Sequence, residues 1–248
     1  MFLKSKLLLS GIMFITGWSI SDLTSQYPGY IRNPNYTITD STEFLQQFAY
    51  RKEIPEEIEI PVLQALSHYP ELRDVRIKFV VKEQYATLTT CPSPGSMVMP
   101  RGHRVYLITI SNRTIPALTP LLFQNLPAGA QVGIIGHELA HVADFSNDSF
   151  AESVRKAVGH LSPAYMDKME FNTDRNCIEH GLGANLEQWS SYIRSTMHTV
   201  YWRGADYVHR GDQHHERYMN PATIEKYMML NEKYSKKGYS FSPTVFAR

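Results

Sequence analysis

The sequence contains few cysteines and almost no net charge. Its 248 residues include two cysteines, Cys91 and Cys177, which excludes a fold held by a disulfide framework and leaves one disulfide between them open. The net charge is +1 with the ten histidines counted as neutral. No strongly basic field therefore exists to attract a nucleic acid, and we expect no nucleic-acid partner.

The sequence also lacks internal repeats and low-complexity tracts. Apolar residues make up 43% of the chain and charged residues 20%, which is ordinary for a soluble globular protein. The length suffices for one compact domain or two small ones. The composition does not by itself favour an oligomeric state.

The one marked apolar run lies at the N-terminus. Two lysines precede residues 7–20, which are almost wholly apolar, and Ser19 and Ser21 offer a cleavage site between small residues. The run is shorter than the roughly 20 residues that span a bilayer. We therefore predict a signal peptide at residues 1–21 and an exported protein, secreted or periplasmic. An uncleaved signal would instead tether the chain to a membrane, and we expect no membrane contact beyond this segment.

The next part of the chain combines extended structure with strands. Residues 22–70 form a predicted lead-in with short helices, one of them over 61–67. Three runs then have the β-branched or alternating pattern of strands, at residues 75–81, 85–90 and 104–111. Because these strands follow one another along the chain, we expect a small, mostly antiparallel sheet.

The pattern changes from strands to helices after Pro127. Apolar residues recur at helical spacing over residues 128–145. Four further helices are predicted, at residues 149–160, 163–180, 184–197 and 223–231. A sheet followed by a helical C-terminal part indicates an α+β fold.

The first of these helices carries the strongest chemical motif, the HELAH sequence at residues 137–141. Residues four apart lie on one face of a helix, so the imidazoles of His137 and His141 can reach one ion. Glu138 can then lie beside the metal without binding it and accept a proton from a metal-bound water. The motif predicts a catalytic Zn²⁺ site.

A catalytic zinc needs a third protein ligand. A histidine six residues after the motif would serve, but Asn147 occupies that position. Glu170, 29 residues after His141, lies on the apolar face of a predicted helix, where an acid is costly unless it is paired or bound to metal. We predict Glu170 as the ligand. The competing ligands are Asp167, Asp174, Glu179 and His180.

The motif and the later Glu170-x-x-x-Asp174-Arg175 sequence together resemble the gluzincin metallopeptidases, including M48-like and minimal gluzincins. The resemblance covers about 50 residues. It implies His137, His141 and Glu170 as zinc ligands, Glu138 as general base, and Asp174 as a support for His137. It also implies a zincin-like peptidase domain over 71–248 and an edge strand that binds an extended peptide. Residues 104–111 are the candidate for part of that sheet.

Zincin peptidases often use a further side chain to stabilise the oxyanion of the tetrahedral intermediate. Residues 198–220 are rich in histidine, tyrosine and arginine and follow the predicted ligands in the sequence. The candidates in this segment are His198, Tyr201, Tyr207, His209, His214 and His215.

These features predict an exported zinc peptidase that hydrolyses peptide bonds of a peptide or protein substrate. The alternative is a non-catalytic zinc-binding protein on the same scaffold, which holds a protein partner without cleaving it.

Overall fold

The computed structural model describes residues 46–93, 95–205 and 217–235. Four strands and seven α-helices occur in these ranges. The strands are β1 (Lys52–Glu53), β2 (Arg76–Lys82), β3 (Leu88–Pro92) and β4 (Val105–Ser111). The helices are α1 (Glu59–Leu66), α2 (Ala128–Ser146), α3 (Phe150–Gly159), α4 (Pro163–Glu179), α5 (Gly183–Thr196), α6 (Pro221–Met229) and α7 (Glu232–Ser235). The prediction of an α+β fold is confirmed. The predicted signal peptide and residues 22–45 of the predicted lead-in lie outside the described residues.

The four strands form one mixed sheet in the order β1-β2-β4-β3. Strand β2 pairs in parallel with β1 on one side and with β4 on the other, and only β3 and β4 pair antiparallel. In register, Ile77 of β2 lies opposite Tyr106 of β4, and Thr90 of β3 opposite Ile108. Strand β3 therefore forms an edge of the sheet.

The prediction of a mostly antiparallel sheet is wrong for two of the three strand pairs. It assumed that strands consecutive in sequence are neighbours in the sheet. Strand β4 instead lies between β2 and β3, and the chain from β1 to β2 passes through α1 before it returns in parallel. Parallel pairing needs such a crossover connection. Alternation within a strand does not indicate which partner it takes.

The helices pack around α2, which makes its most extensive contacts with α5, then with α1 and α4. Helix α2 is buried along nearly its whole length, and α5 approaches it closely because of Gly133. A Cβ atom at Gly133 would lie 2.3 Å from the carbonyl oxygen of Asn185, so any larger residue would push the two helices apart. Helix α1 and the inner faces of β2 and β4 complete the same apolar core.

The two cysteines are not paired with each other. Cys91 is exposed on the edge strand, and Cys177 is buried on α4 against α2. Burial raises the pKa of the Cys177 thiol, so it behaves as a core residue. Among the helices of the described residues, none has the length and apolar character needed to cross a bilayer.

Candidate metal centre

Helix α2 presents the two histidines of the motif to α4. The backbone of α2 is fixed beside the motif, because the buried hydroxyl of Tyr69 donates a 2.7 Å hydrogen bond to the carbonyl of Gly136. His137 is 1% exposed and His141 7%. Buried imidazoles need partners, so the groups that surround these two rings decide their chemistry.

Glu170 of α4 lies between the two rings. Its Oε2 atom is 3.1 Å from Nε2 of His137 and 3.1 Å from Nε2 of His141. The three ligand atoms of this group lie within 4.8 Å of one another, and all three residues are buried. The structure thus brings together the three residues that the sequence predicts as ligands, and this group could hold a metal ion.

The donor set fits a divalent metal ion such as zinc. Two imidazole nitrogens and one carboxylate oxygen are the protein ligands of many hydrolytic zinc sites. A tetrahedral zinc with bonds of about 2.0–2.2 Å places neighbouring ligand atoms about 3.3–3.6 Å apart. The two contacts of Glu170 are shorter than that spacing by a few tenths of an ångström, and the two imidazole nitrogens lie within 4.8 Å of each other. The same donors also accept other divalent ions, so the spacing supports a metal without identifying it.

Asp174, one turn after Glu170, fixes the other side of the His137 ring. Its Oδ1 atom is 2.7 Å from Nδ1 of His137, and its Oδ2 atom accepts a 2.7 Å hydrogen bond from the backbone N–H of Met219. With the Nδ1 proton donated to Asp174, Nε2 keeps its lone pair for a metal ion. Asp174 is fully buried. The predicted contact between Asp174 and His137 is therefore present.

The charges of the centre favour a bound cation. Burial opposes ionisation of Glu170, but the imidazoles of His141 and His137 outweigh it and hold the pKa of Glu170 well below its usual range. Burial likewise opposes protonation of His137, yet hydrogen bonds with Asp174 and Glu170 raise the pKa of His137 well above its usual range. Two carboxylates thus lie beside one buried ring, and their negative charge favours the binding of a metal ion.

Glu138 lies beside the centre and contacts the edge strand. The Thr90 hydroxyl of β3 donates a 2.7 Å hydrogen bond to Oε2 of Glu138. Among the described residues, none hydrogen-bonds the second carboxylate oxygen, Oε1. Glu138 is 6% exposed, and Thr90 fixes its orientation. One oxygen is thus held by the protein, and the other remains available to a water or a substrate.

Tyr218 completes the wall of the centre. Its ring centroid lies 5.5 Å from that of His137 and 5.7 Å from that of Trp189. Burial, together with the negative charges of Glu170 and Glu138, raises the pKa of Tyr218 well above its usual range. Its hydroxyl therefore keeps its proton at neutral pH.

Two hydrogen bonds to α4, one from a side chain and one from a backbone N–H, hold the residues on either side of Tyr218. Arg217 donates from Nε to Oδ1 of Asp167 at 2.8 Å, and Met219 bonds to Asp174 as described above. Arg203 also binds both oxygens of Asp167, at 2.7 and 2.8 Å. Glu170 lies between these two aspartates on α4, so the bonds align Tyr218 with the metal ligand.

The remaining predicted site residues do not join the described centre. Asp167 binds arginines, and His180 contacts Glu71 at 2.7 Å. Glu179 forms a surface pair with Arg175. Tyr201 is 38% exposed, and no contact with the metal ligands is found for it in the part of the chain that the structure describes. His198 is exposed with φ of 50°.

Four predicted oxyanion donors, Tyr207, His209, His214 and His215, lie outside the described residues. Sequence reasoning missed Thr90 and Tyr218. Tyr218 lies in the segment rich in histidine and tyrosine, which was the available signal. Thr90 had no signal, because an alternating strand does not show which helix it contacts.

Comparison with known proteins adds no relative. The chain matches no family model, no curated protein and no solved structure.

Proposed function

We propose that this protein is a zinc-dependent peptidase of the gluzincin type. One observation carries the proposal: the buried group of His137, His141 and Glu170, with Asp174 behind His137 and Glu138 beside the group. A zinc held only for structure usually has four protein ligands, whereas a catalytic zinc has three and one open position. Three ligands are found here among the described residues.

Zinc bound by these ligands would lower the pKa of a bound water to about 7 and polarise a carbonyl oxygen. The protein's own contribution begins with Glu138. Because Thr90 holds Oε2, the carboxylate has a fixed orientation, and Oε1 can accept the proton of the attacking water. Glu138 then delivers this proton to the leaving amine.

Among the described residues, Tyr218 is our candidate donor for the oxyanion, because its ring lies against that of His137. Its hydroxyl remains protonated because burial and the nearby carboxylates raise its pKa. The side chain of Arg217 and the backbone N–H of Met219, on either side of it, bond to Asp167 and Asp174, so the ring requires little reorganisation during the reaction. We assign to Tyr218 the role for which the sequence offered only a group of candidates.

The substrate would bind along β3. This strand is an edge of the sheet, and the side chain of its residue Thr90 contacts Glu138. An extended peptide can add to such an edge through main-chain hydrogen bonds. The strand at 105–111, which the sequence indicated as part of this sheet, lies inside it between β2 and β3 and cannot itself accept a peptide.

The test combines metal content with cleavage. Elemental analysis of the full chain should find one zinc per chain, both in the wild type and in Glu138→Gln. A mixture of peptides incubated with the wild type should yield new termini detectable by mass spectrometry. We expect Glu138→Gln to lose at least about a hundredfold of this activity, since general-base catalysis contributes about 10²–10⁴.

Glu179→Gln is the matched control, because it removes the same charge from an exposed position on α4. It should retain both zinc and activity. A wild type that binds zinc but cleaves no more than Glu138→Gln would overturn the peptidase proposal and favour a non-catalytic zinc-binding protein. A chain without metal after zinc is supplied would overturn both.

A further inference from the structure

Helix α3 exposes its apolar side to solvent. Phe150, Val154 and Val158 recur every four residues, and Leu161 follows on the same side just beyond the helix. Their exposed fractions are 53%, 44%, 63% and 85%, and no residue of α3 is buried. An amphipathic helix of a globular protein normally turns this stripe towards the core. Here the stripe faces outwards.

The opposite side of α3 is attached to the protein. The Nζ atom of Lys156 is 2.5 Å from Oδ2 of Asp144 and 2.9 Å from Oδ1 of Asp148. Gly159 packs against the Tyr165 ring so closely that a Cβ atom would lie 2.8 Å from it. Rotation of the stripe into the core would break these ion pairs and force a lysine outwards. The outward orientation is therefore built into the fold.

The exposed apolar surface continues onto the loop before β4. Arg104 donates to the carbonyl of Met99 at 3.1 Å and to that of Asp148 at 2.9 Å, so this loop lies beside the start of α3. Val98 and Met99 on the loop are 77% and 46% exposed. We use the name apolar face for the surface formed by Val98, Met99, Phe150, Val154, Val158 and Leu161.

The charges near the apolar face are mainly positive. Arg101, Arg155 and Lys168 are exposed, and Glu152 is the exposed acid of α3. Lys168 is near this surface because the next residue, Met169, contacts His160 at the end of α3. The other nearby charges offset one another: Lys156 pairs with both Asp144 and Asp148, and Arg104 bonds to the carbonyl of Asp148. Asp167 pairs with Arg203 and Arg217. An apolar stripe with a basic margin complements an anionic lipid surface, where acyl chains cover the stripe and headgroups meet the cations.

We propose that the apolar face docks this protein on an anionic lipid bilayer, with α3 lying in the interface. An interfacial helix of this kind buries its apolar side about 5–10 Å into the headgroup and acyl boundary. The basic margin favours a bilayer over a second copy of the chain, because two copies would bring like charges together. The proposal extends the expected membrane contact beyond residues 1–21 and does not depend on catalysis.

A local probe tests this proposal even if the N-terminal segment also binds lipid. The full chain carrying Val158→Trp is mixed with vesicles of phosphatidylcholine and phosphatidylglycerol, with or without bromine on the acyl chains. Leu230→Trp is the matched control, because Leu230 is 75% exposed and lies outside the apolar face. We expect brominated chains to quench the added fluorescence of Val158→Trp at least twofold more than that of Leu230→Trp. Equal quenching would overturn the proposal.

Two further measurements separate the alternatives. Quenching of Val158→Trp should fall in vesicles of phosphatidylcholine alone, and undiminished quenching there would overturn the role of the basic margin. Sedimentation without lipid should give the same mass for the wild type and for Val154→Glu/Val158→Glu. A wild-type dimer that the double variant dissociates would show instead that the apolar face joins two copies of the chain.

Discussion

Helices α2 and α3 follow each other in the chain, but α2 buries polar side chains whereas α3 exposes apolar ones. Helix α2 buries His137, Glu138 and His141, and each of them has a named polar partner. Helix α3 instead exposes its apolar residues and turns Lys156 towards the protein. Burial of a polar group is costly without a partner, and exposure of an apolar stripe forgoes the stabilisation that burial provides. Both exceptions therefore mark surfaces that we propose to be functional, one for a metal and one for a lipid.

The largest expected effect comes from removal of the carboxylate between the two imidazoles of α2. Glu170→Ala should lower the zinc content from one per chain to near zero and abolish cleavage, because two imidazoles alone hold zinc weakly. Elemental analysis after dialysis measures this. Glu179→Ala, on the exposed side of α4, should keep its zinc. Full zinc in Glu170→Ala would place the third ligand elsewhere.

Tyr218→Phe should reduce kcat by about 10²–10³, the usual cost of one oxyanion donor, with little change in KM or zinc content. Steady-state kinetics on a cleaved peptide measure the two constants separately. Tyr227→Phe is the control, since that half-buried ring packs on Phe171 of α4. If both variants keep the wild-type kcat, the oxyanion donor is another residue.

Asp174→Asn should weaken zinc binding by about 10–100-fold. The side chain that bonds to Nδ1 of His137 would keep its shape but lose its negative charge. Competition with a chromophoric chelator gives the affinity. Asp167→Asn alters a half-buried acid on the same helix, which binds arginines instead of a metal ligand. It should leave the zinc affinity unchanged, and an equal loss in both variants would indicate a general effect on α4.

Thr90→Val should lower kcat by at least about tenfold, since a hydrogen bond to a charged group contributes about 1.5–3 kcal/mol. Thr90→Ser restores the hydroxyl and should recover most of the rate. Thr89→Val controls for the strand, because the Thr89 side chain faces Gln84 instead of Glu138. Failure of serine to rescue would mean that Thr90 acts through packing and not through its hydroxyl.

The smallest expected effect compares apolar residues of the two helices directly. Ile135→Ala in α2 removes a fully buried side chain and should lower the free energy of unfolding by about 2–5 kcal/mol. Val154→Ala in α3, which is 44% exposed, should change it by less than about 0.5 kcal/mol. Denaturant titration of both variants without lipid measures the difference. A large loss in Val154→Ala would show that the stripe stabilises the fold itself.

Most helices and strands could be predicted because their patterns are local. The predicted helices at 128–145 and 163–180 correspond to α2 and α4 within one residue at each end. Residues 75–81 and 104–111 correspond equally well to β2 and β4. Strand pairing failed because it depends on contacts between distant segments, and β4 enters the sheet between two strands that precede it.

The candidate site likewise combines contacts that the sequence predicted with contacts that it did not predict. The spacing of His137 and His141 is set by one turn of helix, and the spacing of Glu170 and Asp174 by one turn of another. Their mutual contact was expected from the cost of burying Glu170 without a partner and from a family resemblance, and the structure places the three residues together in a group that could hold a metal ion. Thr90 and Tyr218 are joined to the centre by folding alone, since Thr90 lies 48 residues before Glu138.

The sequence by itself determined the α+β class, the helix that carries the motif and the residues that could bind a metal, because helical periodicity and ligand chemistry are properties of short segments. Only the tertiary structure decided the parallel pairing of β2 and β4, the approach of Thr90 and Tyr218, and the outward face of α3. Each of these depends on which distant surfaces meet, and packing and the pairing of buried charges select that arrangement.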